Sequence, residues 1–194
     1  MHSCTGLVEI KNHFMRKLFF VVASLVVTLI SFAQTHSALV GQNSFFAEAG
    51  GAGIMFSANI DHRFTKSNLG WGGRIGAGFV TAYEPYRPDT VAPYTYYDYE
   101  QSSAISVPLQ INYIFGKENS PHTFEVGAGF TYVSKKLEVL NFYDDKLSKF
   151  FGTFSFMYRR QPKNGGFSWR AGFTPVIAKS YIQPFGALSL GYNF

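Results

Sequence analysis

Charge is what this chain has least of. Only 15% of its 194 residues are Asp, Glu, Lys or Arg, against about 25% in an ordinary soluble domain. Cysteine is nearly absent too. The single Cys4 excludes an internal disulfide, and because it precedes the apolar run of the N-terminus it cannot be a lipidation site. The only long hydrophobic run is Leu18 to Ile30, and a mean hydropathy of +0.01 excludes a bundle of membrane helices. Blocks of one charge sign are also missing. The net charge of +5 draws on Lys11, Arg16 and Lys17 near the N-terminus, and the remaining basic residues form no run, which argues against a nucleic-acid partner.

Aromatic residues and glycine are abundant: Phe 21, Tyr 12 and Gly 19. Few charges with many rings and glycines suits a β-protein of which every second residue meets an apolar medium. At the N-terminus, Met15-Arg16-Lys17 opens a basic segment. The apolar run follows, and Ser31-Phe32-Ala33 places small residues before Gln34. This is the pattern of a cleaved secretory signal peptide starting at Met15. The run is short for a membrane helix of about 20 residues. The expected division is therefore 1–33, an N-terminal extension plus signal peptide, and 34–194, the folded domain.

From there on the sequence alternates. Ile54, Phe56, Ala58, Ile60 and Phe64 oppose Met55, Ser57, Asn59, Asp61 and Arg63, and Trp71, Ile75, Ala77, Phe79 and Tyr83 oppose Arg74, Gly76 and Gly78. Ile105, Val107, Leu109, Ile111, Tyr113 and Phe115 oppose Ser106, Pro108, Gln110 and Asn112. The same period of two recurs around Phe124–Tyr132, Phe154–Tyr158 and Phe167–Phe173, and at the end in Leu188, Leu190, Tyr192 and Phe194. These are seven strands, each with one apolar face. Short turns fall near Thr65–Gly70, Gly116–Pro121 and Pro162–Gly166, and longer connections at Glu84–Ser102 and Val139–Ser148, with a brief one near Lys179–Gln183. An even, antiparallel count needs one more strand. Ser44–Ala49 supplies it, with Gly50-Gly51-Ala52-Gly53 as a tight hairpin; the competing reading is one long, glycine-kinked strand from Ser44 to Phe64. With eight strands, the last should pair with Ser44–Ala49. Pro108 lacks the N–H that a closed ladder needs, so a bulge or a local break is expected there.

The face opposite the apolar one is made of Gly, Ser, Thr and Asn with few charges, which fits a narrow lumen better than a water-covered surface. Its charged residues, Glu48, Asp61, Arg63, Arg74, Glu125, Arg159 and Arg170, are of both signs and could neutralise one another inside. Phe64, Trp71, Phe115, Phe124, Phe167 or Trp169, and Phe194 gather at one end of the apolar face, as an aromatic girdle would. Lys136 and Arg160 lie near the ends of that face, where they can snorkel.

This pattern resembles bacterial outer-membrane β-barrels, whose closing strand typically ends on Phe with apolar residues at alternate positions before it. In architecture it is similar to the OmpX and OmpA transmembrane-domain group, and in strand texture to outer-membrane barrel proteins of Bacteroidota. The resemblance implies an all-β, closed antiparallel transmembrane barrel of eight strands in the outer membrane. It also implies lipid as solvent and insertion by the barrel assembly machinery through a signal at Leu188, Leu190, Tyr192 and Phe194. A monomer is expected.

No chemistry stands out. His36, His62 and His122 are dispersed, with no serine–carboxylate arrangement at the external rim and no cluster of metal ligands, so neither an enzyme nor a cofactor is expected. The most distinctive connection holds Tyr86, Arg87, Tyr94, Tyr96, Tyr97 and Tyr99. It is a candidate external site for a surface polysaccharide or protein, or else a tyrosine-rich loop resting at headgroup level. A non-enzymatic structural, adhesive or surface-binding barrel is the leading expectation. A lipid-modifying enzyme, a narrow pore and a soluble lipocalin-like binding barrel are the alternatives.

Overall fold

A computed structural model describes residues 41–83, 101–118, 120–136, 138–140, 142 and 147–194. The proposed signal peptide and the tyrosine-rich connection lie outside them.

Ten strands build one sheet: β1 (Asn43–Gly50), β2 (Phe56–Arg63), β3 (Gly70–Tyr83), β4 (Gln101–Gly116), β5 (His122–Val133), β6 (Phe150–Arg160), β7 (Gly166–Phe173), β8 (Val176–Ala178), β9 (Tyr181–Gln183) and β10 (Gly186–Asn193). Every pairing is antiparallel, and β5 pairs with β6 to close the sheet on itself. The barrel is nonetheless eight-stranded, because β8 continues the register of β7 against β6 and β9 continues that of β10. Two prolines cause these interruptions. By that register Pro175 and Pro184 face each other across the last hairpin, and neither can donate to the ladder. Thr174 N–H still reaches Phe185 O at 2.6 Å, and Phe154 N–H reaches Pro175 O at 3.1 Å. The last turn is therefore Lys179–Ser180, both with positive φ.

The segments Ser44–Ala49 and Ile54–Phe64 belong to two strands and not to one kinked strand, the second strand being confined to Phe56–Arg63, and β1 pairs with β10 from Ser44↔Asn193 to Gly50↔Ala187. Phe45, Ile60, Ile75, Leu109, Phe130, Gly152, Ile177 and Ile182 share one row of paired residues. By the β1–β10 register that row returns level with residue 55, a shear of about ten residues, which requires the strands to tilt steeply against the barrel axis. A barrel this narrow has an interior that side chains can fill.

The alternation sorts the faces as the sequence implies. Phe56, Ile60, Trp71, Ile75, Phe79, Ile105, Leu109, Ile111, Phe124, Phe130, Phe156, Leu188 and Leu190 all point outward and are exposed. Rings make a chain of contacts at the end of the short turns, from Phe115 to Phe124 (5.8 Å between centroids), Tyr158 (5.7 Å) and Trp169 (5.2 Å), with Trp71 on Tyr113 at 5.2 Å.

At Pro108 the β3–β4 ladder lacks the pairs Gly76↔Pro108 and Ala77↔Val107, while Ile75↔Leu109 and Gly78↔Ser106 keep one register across the gap. Both missing pairs would use the same bond, from a residue-108 N–H to the Gly76 carbonyl. One absent hydrogen accounts for the whole break, and no bulge is needed.

One expected element differs. Gly50–Gly53 does not stand out from the rim as a hairpin. Gly51–Gly53 is a single 3-10 turn, buried, and folded into the barrel mouth. Ile54 is not on the outer face but is buried, 1% exposed, at a positive φ of 74°, and Met55 is the exposed residue. A β-branched residue at positive φ is strained; burying Ile54 among apolar groups offsets that cost.

Candidate functional site

The lumen is the most organised part of the molecule. The seven inward charges all lie on the face opposite the apolar one, so alternation alone directs them to a common space. All are 2% exposed or less. They form one chain of alternating sign: Arg74–Glu48 (3.0 Å), Glu48–Arg170 (2.9 Å), Arg170–Glu125 (3.1 Å), Glu125–Arg159 (3.1 Å), Arg159–Asp61 (2.8 Å) and Asp61–Arg63. Each carboxylate sits between two guanidiniums, and both ends of the chain are cationic. An isolated ion here would be costly, and pairing on both sides is what makes three buried carboxylates tolerable.

Neutral side chains extend the network. Ser189 Oγ donates to Glu48 at 3.0 Å, Arg159 donates to Ser44 Oγ at 3.0 Å, and Asn112 Nδ2 donates to Asp61 and Glu125, both at 3.3 Å. Arg63 also donates to Asn112 Oδ1 and, at 3.0 Å, to the Gly70 carbonyl. The Arg63 guanidinium lies so close over Gly72 that a Cβ there would be 2.2 Å from its Cζ, so only glycine leaves room for it. Phe46 takes part through its ring face, with the Arg170 guanidinium 3.6 Å and that of Arg74 5.9 Å from the ring centroid. That contact favours a cation that two carboxylates already hold. Sequence reasoning did not single out Phe46, Ser44 or Ser189, although each shares the parity of a named charge: Phe46 and Ser44 that of Glu48, and Ser189 that of its partner Arg170.

Toward the longer connections the lumen changes character. Ile54, Val80, Ala104, Val133, Val139, Phe142, Phe151, Val176 and Ala178 form one buried apolar cluster, and Phe142 packs on Phe151 at 5.4 Å and on Tyr181 at 5.5 Å. Val139 and Phe142 belong to the longer connection that the sequence places at Val139–Ser148. The 3-10 turn lies at the junction of the two regions. Thr131 Oγ1 donates to the Ala52 carbonyl, and Ser106 Oγ donates to the Gly53 carbonyl at 3.0 Å. A Cβ on Gly51 would meet Glu48 Oε1 at 2.6 Å, so the turn rests directly on the ion-pair chain.

These features describe a barrel with an apolar exterior and a filled, polar-to-apolar interior. Such a barrel has a counterpart among solved structures. The N-terminal β-barrel domain of Pseudomonas aeruginosa OprF superposes with a TM-score of 0.50 at 14% identity, covering 80% of this chain and 99% of that domain. The fold is that of an outer-membrane β-barrel domain. No family model and no curated protein matches the sequence, so the likeness is one of architecture.

The remaining sequence-derived residues fall outside the lumen. Leu188, Leu190, Tyr192 and Phe194 project outward along and just beyond β10. Tyr86, Arg87, Tyr94, Tyr96, Tyr97 and Tyr99 lie outside the described residues. His62 and His122 are at the end of the short turns, where His62 Nδ1 bonds Asn43 Oδ1 at 2.7 Å and His122 Nδ1 bonds the Tyr158 hydroxyl. Among the described residues, no group of three or more His, Cys, Asp and Glu is placed to hold a metal ion.

Proposed function

We propose that this protein is a monomeric, non-enzymatic integral protein of the bacterial outer membrane, closed to solutes, with a structural or adhesive role exerted through its external loops. The observation that carries this reading is the filled lumen. A pore needs a water path, but here an ion-pair chain spans the interior and a buried turn rests on it. The exposed apolar band supports lipid as the surrounding medium. The rings at the short-turn end support an aromatic girdle at one membrane interface, and the short turns there against longer connections at the other end support a periplasmic and an external side respectively. In this reading the outward residues Leu188, Leu190, Tyr192 and Phe194 present the closing strand to the assembly machinery, and the loop tyrosines offer stacking surface to a polysaccharide or protein.

The test is reconstitution. The detergent-purified protein should migrate differently on gels before and after boiling, as a folded barrel does, and should show no conductance above background in planar bilayers. Steady conductance would make it a narrow pore instead. Recovery of the mature chain from the aqueous periplasm without detergent would overturn the membrane assignment.

A further inference from the structure

We infer that the outer wall at the short-turn end carries a binding site for the phosphate headgroup of an anionic glycerophospholipid, formed by Arg160, His122 and Tyr158 with Trp169 beside them. The inference rests on the outer-membrane reading above. Arg160 is directly opposite His122 across the β5–β6 ladder and directly opposite Trp169 across the β6–β7 ladder. Residues so paired have Cβ atoms about 5 Å apart, so the three side chains form a continuous outward row across three strands. Tyr158, two residues from Arg160 on the same face, packs against both Trp169 and Phe124.

The four groups supply what a phosphodiester needs. Arg160 is exposed, and among the described residues no carboxylate pairs with it. Its planar fork suits two phosphate oxygens. The hydrogen bond between His122 Nδ1 and the Tyr158 hydroxyl leaves one donor whichever way it runs. If the phenol donates to the ring, Nε2–H remains for a ligand; if the ring donates, the phenol O–H remains. Toward the middle of the barrel the same face continues as Phe124, Val126 and Phe156, all exposed, a surface for acyl chains and not for water. A headgroup at the row with its chains along these residues satisfies both halves, which a free anion would not.

Native mass spectrometry of the full mature protein in detergent, titrated with dioleoyl phosphatidylglycerol or dioleoyl phosphatidylcholine, tests this. The wild-type protein should bind phosphatidylglycerol preferentially. Arg160→Gln should weaken that binding about tenfold, the size of a lost charged hydrogen bond, and His122→Phe should weaken it about threefold. Lys66→Gln, at another turn, should change it less than twofold, and millimolar inorganic phosphate should not displace the lipid. Equal phosphatidylglycerol binding by the wild-type and Arg160→Gln proteins would overturn the site, as would full displacement by inorganic phosphate. Heat-modifiable migration of each variant is read in parallel. Its loss in the wild-type protein would overturn the membrane reading and the site with it, whereas its retention with unchanged binding would overturn the site alone.

Discussion

The two halves of the lumen solve one problem in opposite ways. Both must fill a narrow tube closed to water. Toward the short turns the strands present Arg, Glu, Asp, Asn and Ser, and the space is filled by an ion-pair chain in which each carboxylate touches two guanidiniums. Toward the longer connections the inward positions are Val80, Ala104, Val133, Phe151 and Val176, and the filling comes from a connection and a turn folded inward. A charged network depends on every member, because losing one strands its partners. An apolar cluster degrades gradually, by the volume removed. The first half should behave as one unit and the second as a sum.

The largest expected effect follows from breaking the chain at its centre. Glu125→Gln leaves Arg159 and Arg170, both buried, with one carboxylate each instead of two. The expected loss is about 4 kcal/mol in urea-unfolding experiments on the lipid-reconstituted barrel. Adding Arg170→Met should return roughly half of it, because the uncompensated cation goes with its partner. If the double variant is as unstable as the sum of the single ones, the network is not a unit and the comparison fails. Phe151→Ala in the other half should cost about 3 kcal/mol. That loss should be local: hydrogen exchange should accelerate in β8 and β9 while β5 amides beside Glu125 stay protected.

This contrast also separates what the sequence disclosed from what it hid. The strands, their outward face and the seven inward charges were legible because a period of two holds as long as one face is apolar and the other polar. Closure was legible from parity alone, which placed Leu188 and Leu190 beside β1. The apolar half of the lumen was not, since there both faces are apolar. Phe79-Val80, Tyr132-Val133, Phe150-Phe151 and Val176-Ile177 lose the alternation and read as strand ends. These doublets are the signal that could have shown an apolar lumen at that end. The inward fold of Gly51–Gly53 had no such signal, because it depends on Ser106 and Thr131, more than fifty residues away. The pairing order of the charges was equally hidden: parity puts Glu48 and Arg170 in the same tube without saying that they meet.

The junction between the halves should respond weakly. Thr131→Val removes the hydroxyl that holds the Ala52 carbonyl at nearly constant volume, and should cost about 1 kcal/mol. A loss near that of Phe151→Ala would mean that the turn, and not the apolar cluster, closes the mouth.

Pro108 lies beside this junction, paired with Thr131, and tests it with the smallest change. Pro108→Ala restores an N–H that faces the Gly76 carbonyl, since the register continues unchanged on either side of the gap. The new bond is worth about 1 kcal/mol. Against it, the unfolded chain regains freedom worth about 0.4–1 kcal/mol that proline had removed. The two nearly cancel, so the unfolding midpoint should hardly move, while the amide introduced at position 108 should be slow to exchange. A destabilisation of about 2 kcal/mol or more would instead show that the proline ring is itself part of the packing under the turn. The polar and apolar halves would then be separated by a built wall and not by a gap in the ladder.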